Sequence, residues 1–154
     1  HGNITKETDA LGNSITKRYD AYDNLVYQRA SYADFSLEYT YDFANRLICQ
    51  EEIHDDGQRF VTRHEYNYLS QCVKTINPYG HETEQTFDEF GRIQKILYPA
   101  TVNEHRTLEH SVITKNYDIA GYPICVTDAK GQITHMEYNI HGKPVKILYP
   151  DGTT

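Results

Sequence analysis

Short runs of alternating apolar and polar residues, separated by tight turn signals, occupy almost the whole chain. In the clearest stretch, residues 132–138 and 144–149 are rich in strand-forming residues, and the turn residues 139–142 lie between them. Two short strands joined by a tight turn predict an antiparallel β-hairpin. The same order fits residues 9–28 and 78–99. No stretch of about twelve residues keeps a helical period without a turn signal inside it, so no helix is predicted.

A six-fold repeat underlies this pattern. In each repeat an aromatic residue is followed by Asp or Asn and, three residues later, by a turn residue. The instances are Tyr19-Asp20 with Asp23, Tyr41-Asp42 with Asn45, Tyr66-Asn67 with Ser70, Phe87-Asp88 with Gly91, Tyr117-Asp118 with Gly121, and Tyr138-Asn139 with Gly142. The aromatic positions are 22, 25, 21, 30 and 21 residues apart. A period near 21 with insertions predicts one continuous repeat array over residues 1–154.

The turn residues and the strands after them show a further regularity. Gly, Asn and Asp tolerate a left-handed backbone, so each turn residue is predicted to have a positive φ, with Ser70 the least favourable. Three residues later, five of the six repeats carry a β-branched apolar residue, which predicts an inward row on a pleated sheet. This row is Val26, Ile48, Val73, Gln94, Ile124 and Val145. In the later repeats Ile96, Val126 and Ile147 are predicted to continue this face.

Two repeats carry insertions. The first insertion covers residues 51–63 and places residues 54–57 in a lengthened hairpin tip. The second covers residues 100–111, is polar and charged, and is predicted to form a protruding loop. In a repeat array such insertions map onto loops at the margin of the sheet.

Composition and charge favour a folded sheet protein. The chain has 154 residues with 14 Tyr and no Trp, and 38% of its residues are apolar. Tyr favours strands and combines an apolar ring with a polar tip, which predicts sheet faces that water can wet. The net charge of −7 argues against a nucleic-acid partner, and no apolar run is long enough to span a membrane. Gly2-Asn3 and residues 150–152 look like parts of further repeats, so we expect a piece of a longer protein.

Some polar side chains could serve a catalytic or metal site. His54, Asp55 and Asp56 lie together in the lengthened hairpin, and His135 and Glu137 share one face of a strand. A metal site needs three or four converging ligands at a known spacing, and no such set occurs. Nucleophile-elbow, phosphate-loop and zinc-protease motifs are also missing from the sequence. We therefore expect no enzyme activity, no metal and no cofactor, and interpret these residues as a solvated hairpin end and a polar sheet face.

The three cysteines are predicted to be free thiols. Cys49, Cys72 and Cys125 all fall on second strands of their hairpins. If the hairpins lie side by side, successive second strands are about 9.5 Å apart. A disulfide needs Cα atoms within about 7 Å, so these residues should not be bonded.

The repeated aromatic-acid pair has two interpretations. Exposed tyrosines could form a stacking platform for sugars. Alternatively, each aromatic residue could stack on its counterpart in the next repeat, while the Asp or Asn bonds the backbone amides of the turn. Regular recurrence favours the structural interpretation, because a binding site rarely repeats in every unit.

These residues resemble the YD repeats of the RHS family, whose consensus is roughly Tyr-Asp-x-x-Gly-Arg-Leu followed by Pro-x-Gly. Close matches are residues 87–93, 41–47, 9–13, 78–80 and 150–152. The resemblance extends over nearly the whole chain. Asn45 and Ser70 replace the consensus Gly, so irregular hairpins are expected there.

The resemblance implies a curved, spiralling sheet of tandem hairpins that forms part of a hollow shell. In bacterial members such a shell encloses a C-terminal toxin domain, often released by self-cleavage at a separate segment with an Asp-Pro-x-Gly-type signature. This chain lacks that signature. The resemblance therefore implies a non-catalytic piece of shell wall from a secreted or cell-surface bacterial protein. Its partners would be the remainder of the shell and the enclosed toxin or effector domain.

Two other functions stay open at this point. One is a cell-surface adhesion or carbohydrate-binding β-repeat module. The other is an enzyme with a His and Asp site at the inserted hairpin. Sequence beyond either end would separate the shell from the adhesion module, since a variable downstream domain favours the shell and an anchor favours adhesion.

Overall fold

The computed structural model describes residues 3–102 and 106–154, and in these residues it contains thirteen β-strands and no helix. The strands are β1 (Ile4–Thr8), β2 (Ser14–Tyr19), β3 (Leu25–Ala30), β4 (Phe35–Tyr41), β5 (Leu47–His54), β6 (Arg59–Tyr66), β7 (Cys72–Ile76), β8 (Glu82–Phe87), β9 (Ile93–Val102), β10 (Leu108–Tyr117), β11 (Pro123–Thr127), β12 (Ile133–Tyr138) and β13 (Pro144–Leu148). The predicted all-β class is confirmed. None of the described residues belongs to a helix that could cross a membrane.

The strands fall into two compact units, residues 1–81 and 82–154. In the first unit β1 to β7 pair in chain order, and every pair is antiparallel. In the second unit β8 to β13 pair in the same way. Each unit is therefore a meander of tandem hairpins, as predicted, and alternate turns lie at the same edge of its sheet. The single array over residues 1–154 stays a prediction.

The first insertion forms the predicted lengthened hairpin. β5 and β6 have eight residues each, and the turn at residues 54–58 joins them. Arg59 and Glu51 form a cross-strand ion pair of 3.0 Å near the tip. β5 is paired with β4 along its whole length, from Leu47 to His54, whereas β6 continues beyond its last pair with β7 at Arg63.

The second insertion differs from its prediction. Most of the described part of the polar loop expected over residues 100–111 is paired strand, because residues 100–102 pair with residues 108–110. The pairing is interrupted beside Pro99, which has no N–H to donate, and then resumes. Residues 103–105, also part of the predicted loop, lie outside the described residues.

One turn type closes the hairpins that follow the repeat aromatics. In the turn at residues 42–46, the N–H of the first residue, Asp42, donates to the carbonyl of the fifth, Arg46 (2.9 Å). The N–H of the fourth residue, Asn45, donates to the carbonyl of the first (3.0 Å). This is a three-residue loop on a type I turn, whose last residue must be left-handed. The predicted positive φ is confirmed at Asp23 (62°), Asn45 (59°), Ser70 (61°), Gly91 (81°), Gly121 (92°) and Gly142 (73°). Asn45 and Ser70 make the same fourth-to-first bond, so the irregular hairpins expected there are not observed.

The predicted inward row is wrong, because its residues are the extra residues of β-bulges. Between β6 and β7, Tyr66 pairs with Cys72 and Glu65 pairs with Lys74, which leaves Val73 without a partner. The same shift recurs at Val26, Ile48, Gln94, Ile124 and Val145. An extra residue breaks the two-residue period on which the prediction rested. Three of the six side chains are half-buried and three are exposed.

The bulges leave the repeat aromatics on one face of each sheet with apolar residues of the following strand. In the second unit Phe87 pairs with Ile93 and Tyr117 with Pro123, and directly opposed side chains share a face. No hydrophobic side chain among the described residues is buried, and two serines are the only buried residues there. A single layer of sheet has no second layer to form a core. Contacts between neighbouring hairpins must therefore hold each unit together.

Two turn glycines offer a matched test of the turn geometry. Gly131 has a φ of 77° and no atom within 4 Å of a Cβ placed on it, so Gly131→Ala should cost about 1 kcal/mol for the left-handed backbone alone. At Gly142, with a φ of 73°, a Cβ would overlap the Tyr122 ring. Gly142→Ala should therefore cost roughly 1–3 kcal/mol more. Urea unfolding of both variants measures the difference, and equal losses would contradict the contact with Tyr122.

Candidate functional site

The candidate site is the set of turns that follow the repeat aromatics, here called the turn edge. It comprises residues 20–24, 42–46 and 67–71 in the first unit and residues 88–92, 118–122 and 139–143 in the second. Within each unit these turns lie at one edge of the meander. Their side chains and backbone groups make the lateral contacts that join one hairpin to the next.

The first residue of each turn caps it with a side-chain oxygen. Asp42 Oδ1 accepts hydrogen bonds from the backbone N–H groups of Ala44 (2.8 Å) and Arg46 (3.0 Å). Asn67 makes the equivalent bonds through its amide oxygen, so the cap itself needs no charge. This is the predicted Asx-type arrangement. It closes the turn without using any group outside the hairpin.

Tyrosine hydroxyls join neighbouring hairpins. The hydroxyls of three of the five repeat tyrosines each donate to the backbone carbonyl of the first residue in the second strand of the preceding hairpin. The pairs are Tyr41 with Leu25 (3.0 Å), Tyr66 with Leu47 (2.8 Å) and Tyr117 with Ile93 (2.8 Å). The repeat aromatic therefore acts through its polar tip as well as its ring.

These carbonyls need a side-chain partner because pairing between hairpins stops short of the turn edge. The last β5–β6 pair before this edge is Cys49 with Arg63, so Leu47 and Ile48 lie outside the ladder to β6. Ile48 is also the extra residue of the bulge between β4 and β5, and such bulges increase the local twist of a strand. A half-buried carbonyl without a donor is costly, and the hydroxyl of Tyr66 supplies one.

The predicted stacking of each repeat aromatic on the next is wrong. A second strand lies between successive repeat aromatics, which separates their backbones by about 9.5 Å. Among the described residues the one stacked tyrosine pair is Tyr122 with Tyr138, at 5.0 Å, and Tyr122 is the last residue of a turn. The link between repeats is therefore a hydroxyl bonded to a carbonyl.

Arg46 completes the contact between the second and third repeats. Its Nε donates to Asp42 Oδ2 in its own turn (2.7 Å). Its Nη1 donates to the carbonyl of Asn67 (2.9 Å) and to Ser70 Oγ (3.3 Å) in the next turn. The guanidinium also lies 4.9 Å from the centre of the Tyr66 ring, within cation–π range. One side chain thus binds two turns and covers the aromatic residue between them.

Arg92 repeats this arrangement in the second unit. Its Nε donates to Asp88 Oδ2 (2.6 Å), and its Nη1 donates to the carbonyl of Asp118 in the next turn (2.9 Å). Its guanidinium lies 4.7 Å from the centre of the Tyr117 ring. Two arginines at the same place in the repeat therefore make the same three contacts.

Sequence reasoning missed this fifth position of the turn as a functional position. The Arg that follows the turn residue in two repeats was the available signal. Other residues at this position also reach the next turn: Asn24 Nδ2 donates to Asn45 Oδ1 (3.1 Å), and Tyr122 packs against Gly142. In four of the six turns the residue at this position therefore contacts the next turn.

Hydrogen bonding and burial set the ionisation of the turn edge. The hydrogen bond from Arg46 lowers the pKa of Asp42 below its ordinary value of 3.8, and the bond from Asn24 lowers the pKa of Asp20. Burial raises the pKa of Tyr41 and of Tyr66 above the ordinary value of 10.0. The carboxylates are therefore held as acceptors and the phenols as donors at neutral pH.

The His and Asp candidates of the inserted hairpin do not converge. Asp55 forms a two-bond ion pair with Arg29, with both distances 2.8 Å. His54 Nε2 lies 2.6 Å from Glu52 Oε1, and Asp56 caps the backbone of its own turn. No group of three or more His, Cys, Asp or Glu within the described ranges could hold a metal ion.

The remaining candidates are also separate. His135 and Glu137 are both exposed on β12, and Glu137 pairs with Lys146 at 3.5 Å. All three cysteines are free, as predicted. Cys49 lies on β5 and Cys72 on β7, with β6 between them.

Tandem hairpins with capped turns and repeated lateral contacts define an all-β hairpin-repeat protein. The family model for the RHS Repeat matches residues 1–34, which confirms the predicted resemblance to RHS repeats there. Comparison with curated protein sequences found no significant match.

The fold is also found in solved toxin structures. A chain of the crystal structure of TcdB2-TccC3-TEV has a TM-score of 0.70 and 14% identity, over 94% of this chain and 9% of its own length. The Photorhabdus luminescens Tc holotoxin pore with a mutated TccC3 gives 0.57 and 13%, over 93% and 11%. The crystal structure of TcdB2-TccC3-Cdc42 gives 0.56 and 11%, over 96% and 10%. The present chain thus spans about a tenth of these chains and shares their fold.

Tyr66→Phe tests the hydroxyl-to-carbonyl link. It keeps the ring but removes the 2.8 Å bond to the Leu47 carbonyl, so the free energy of unfolding should fall by about 1 kcal/mol. Tyr68→Phe in the adjacent turn is the matched control, because Tyr68 is 92% exposed and should change stability by less than about 0.5 kcal/mol. Urea unfolding measures both, and similar values for the two variants would refute the link.

Asp42→Asn tests the charge on the connector. Asn keeps the cap, as Asn67 shows, but loses the charge that faces Arg46. The lowered pKa of Asp42 means that its stabilising contribution is present above the ordinary pKa of 3.8 and is lost as the pH falls through the folded-state value. The variant should therefore be less stable than the wild type at pH 7, and the difference should shrink in acid. Unfolding measured from pH 7 to below pH 3 decides this, and a pH-independent difference would count against the ion pair.

Proposed function

We propose that this chain is a non-catalytic structural segment of an RHS/YD-repeat shell, which encloses a C-terminal toxin or effector domain of a secreted bacterial protein. The observation that carries the proposal is the repetition of the lateral contacts at the turn edge. Arg46 and Arg92 join successive turns in the same way, and Tyr41, Tyr66 and Tyr117 donate to equivalent carbonyls. Contacts that recur from one hairpin repeat to the next can build a wall of any number of repeats, whereas a catalytic site occurs once.

The likeness to toxin structures supports the proposal. It covers more than nine-tenths of this chain, and one of the matched structures is a Tc holotoxin pore. The toxin domain itself would lie elsewhere in a protein of which this chain is a part. The wall would isolate the enclosed polypeptide until delivery, and the wall residues would need no catalytic group.

The test uses the complete protein that contains this segment. If the segment is shell wall, the C-terminal domain should resist protease in the native protein and should be cut when it is expressed alone. Electron microscopy of the same sample should show a closed, hollow particle. Rapid cleavage of the C-terminal domain in the native protein would overturn the proposal.

A matched pair of variants links this protection to the turn edge. An Arg46→Ala and Arg92→Ala double variant removes two connectors and should shorten the protection time. Arg59→Ala removes the exposed ion pair with Glu51 near a hairpin tip. It should leave the protection of the C-terminal domain unchanged. Equal protection in all three proteins would show that the connectors are not needed for the wall.

Carbohydrate binding is a second candidate function, favoured by exposed aromatic rings in the turns. These rings and their exposed fractions are Tyr22 (76%), Phe43 (99%), Tyr68 (92%) and Phe90 (72%). Aromatic faces of this kind can stack on sugars. A glycan array probed with this chain and with a Phe43→Ala variant tests the idea. Binding that depends on Phe43 would support it, and absence of binding would leave the shell as the sole proposal.

A further inference from the structure

Cys72, His64 and Thr75 form a compact cluster that neither the turn edge nor the proposed shell uses. His64 and Thr75 are directly opposed on β6 and β7, and Cys72 begins β7. Cys72 Sγ lies 4.0 Å from His64 Nδ1 and 3.6 Å from Thr75 Oγ1. His64 Nδ1 lies 3.3 Å from the same hydroxyl. All three residues are half-buried, so the thiol is held in place and still partly accessible.

This arrangement supplies what thiol chemistry needs. The thiolate is the nucleophilic form of cysteine, and a neutral imidazole nitrogen can take the thiol proton. Thr75 contacts both groups and fixes their relative position. The backbone carbonyl of Lys74, 3.5 Å from Cys72 Sγ, is a further acceptor that orients the thiol within the cluster.

We propose that Cys72 is a thiol-modification site, at which His64 takes the thiol proton and the thiolate exchanges with a small disulfide such as oxidised glutathione. The thiolate attacks one sulfur of the reagent. The sulfur–sulfur bond of the reagent breaks, a mixed disulfide forms on Cys72, and the departing thiolate takes a proton from the His64 imidazolium. The exchange is balanced and needs no other oxidant.

The other two cysteines lack this environment. Burial and the neighbouring Glu51 carboxylate, 3.9 Å away, raise the pKa of the Cys49 thiol, which disfavours its thiolate. Cys125 is opposed to His135 in register, yet no hydrogen bond joins their side chains in the part of the chain that the structure describes. Cys125 is therefore a control with the same pair of residue types and without the contact.

The test measures the rate at which each thiol of the native chain gains a glutathione adduct at neutral pH. Peptide mass spectrometry separates the three sites, and rates in denaturant provide the reference for unhindered thiols. Relative to this reference, Cys72 should react roughly tenfold faster than Cys49 and Cys125. A native Cys72 rate no higher than the other two would overturn the proposal.

Variants assign the effect to the imidazole. His64→Ala should lower the Cys72 rate towards that of Cys49, while the Cys49 rate stays constant and reports an intact fold. His64→Asn gives the same test with a smaller polar side chain if the alanine variant unfolds. His135→Ala, the matched control on β12, should leave the Cys72 rate unchanged. An unchanged Cys72 rate in a folded His64 variant would refute the role of His64.

Discussion

The arrangement of each unit depends on one constraint. Next to each turn edge, a backbone carbonyl lies beyond the hydrogen-bonded ladder between neighbouring hairpins and needs another donor. A sheet with one layer has no core, so its hairpins must be joined through their edges and side chains. The pairing between β5 and β6 ends at Cys49, and beyond it the hydroxyl of Tyr66 donates to the carbonyl of Leu47. Each such hydrogen bond contributes only about 1 kcal/mol, so the stability of the sheet comes from repetition.

The turn aspartate couples the closing of one hairpin to the binding of the next. Asp42 uses one oxygen to cap its own turn and the other to hold Arg46, whose guanidinium then reaches Asn67. An asparagine at the same position can only do the first of these. In the third repeat, Asn67 accordingly bonds Gln71 through its amide nitrogen instead of orienting an arginine. Asp42 therefore orients the arginine that reaches the next turn, whereas the side chain of Asn67 bonds groups of its own turn.

The features that the sequence could predict are local ones. Strand, turn and left-handed residue follow each other within a few positions, so the positive φ of Asn45 and even of Ser70 could be read from spacing alone. The bulge could not be predicted from the sequence, because an extra residue such as Val73 looks the same there as a residue of a regular strand. Treating Val73 as part of a two-residue period placed it on an inward row that does not exist.

The lateral contacts could not be predicted from the sequence, for a different reason. Arg46 and Asn67 are 21 residues apart, and their contact depends on how the turns of two neighbouring hairpins are placed relative to each other. Regular spacing of Tyr41 and Tyr66 suggested ring stacking, whereas the intervening strand leaves only the hydroxyl within reach of the preceding hairpin. A one-dimensional repeat tells which positions are equivalent. It does not tell which atoms of those positions meet.

The inserted hairpins carry a consequence for how a sheet of tandem hairpins can vary. The extra residues of β5 and β6, and of β9 and β10, are added at the ends opposite the turn edge. At that opposite end Asp55 of the first inserted hairpin binds Arg29 of β3, which adds a contact to the preceding hairpin. Hairpins can therefore lengthen at one end while the contacts of the turn edge at the other end stay the same. The length of the strands in a hairpin and the number of hairpin repeats are therefore independent quantities. Mutation can change the area of surface that one repeat covers while the rule that joins it to the next repeat stays the same.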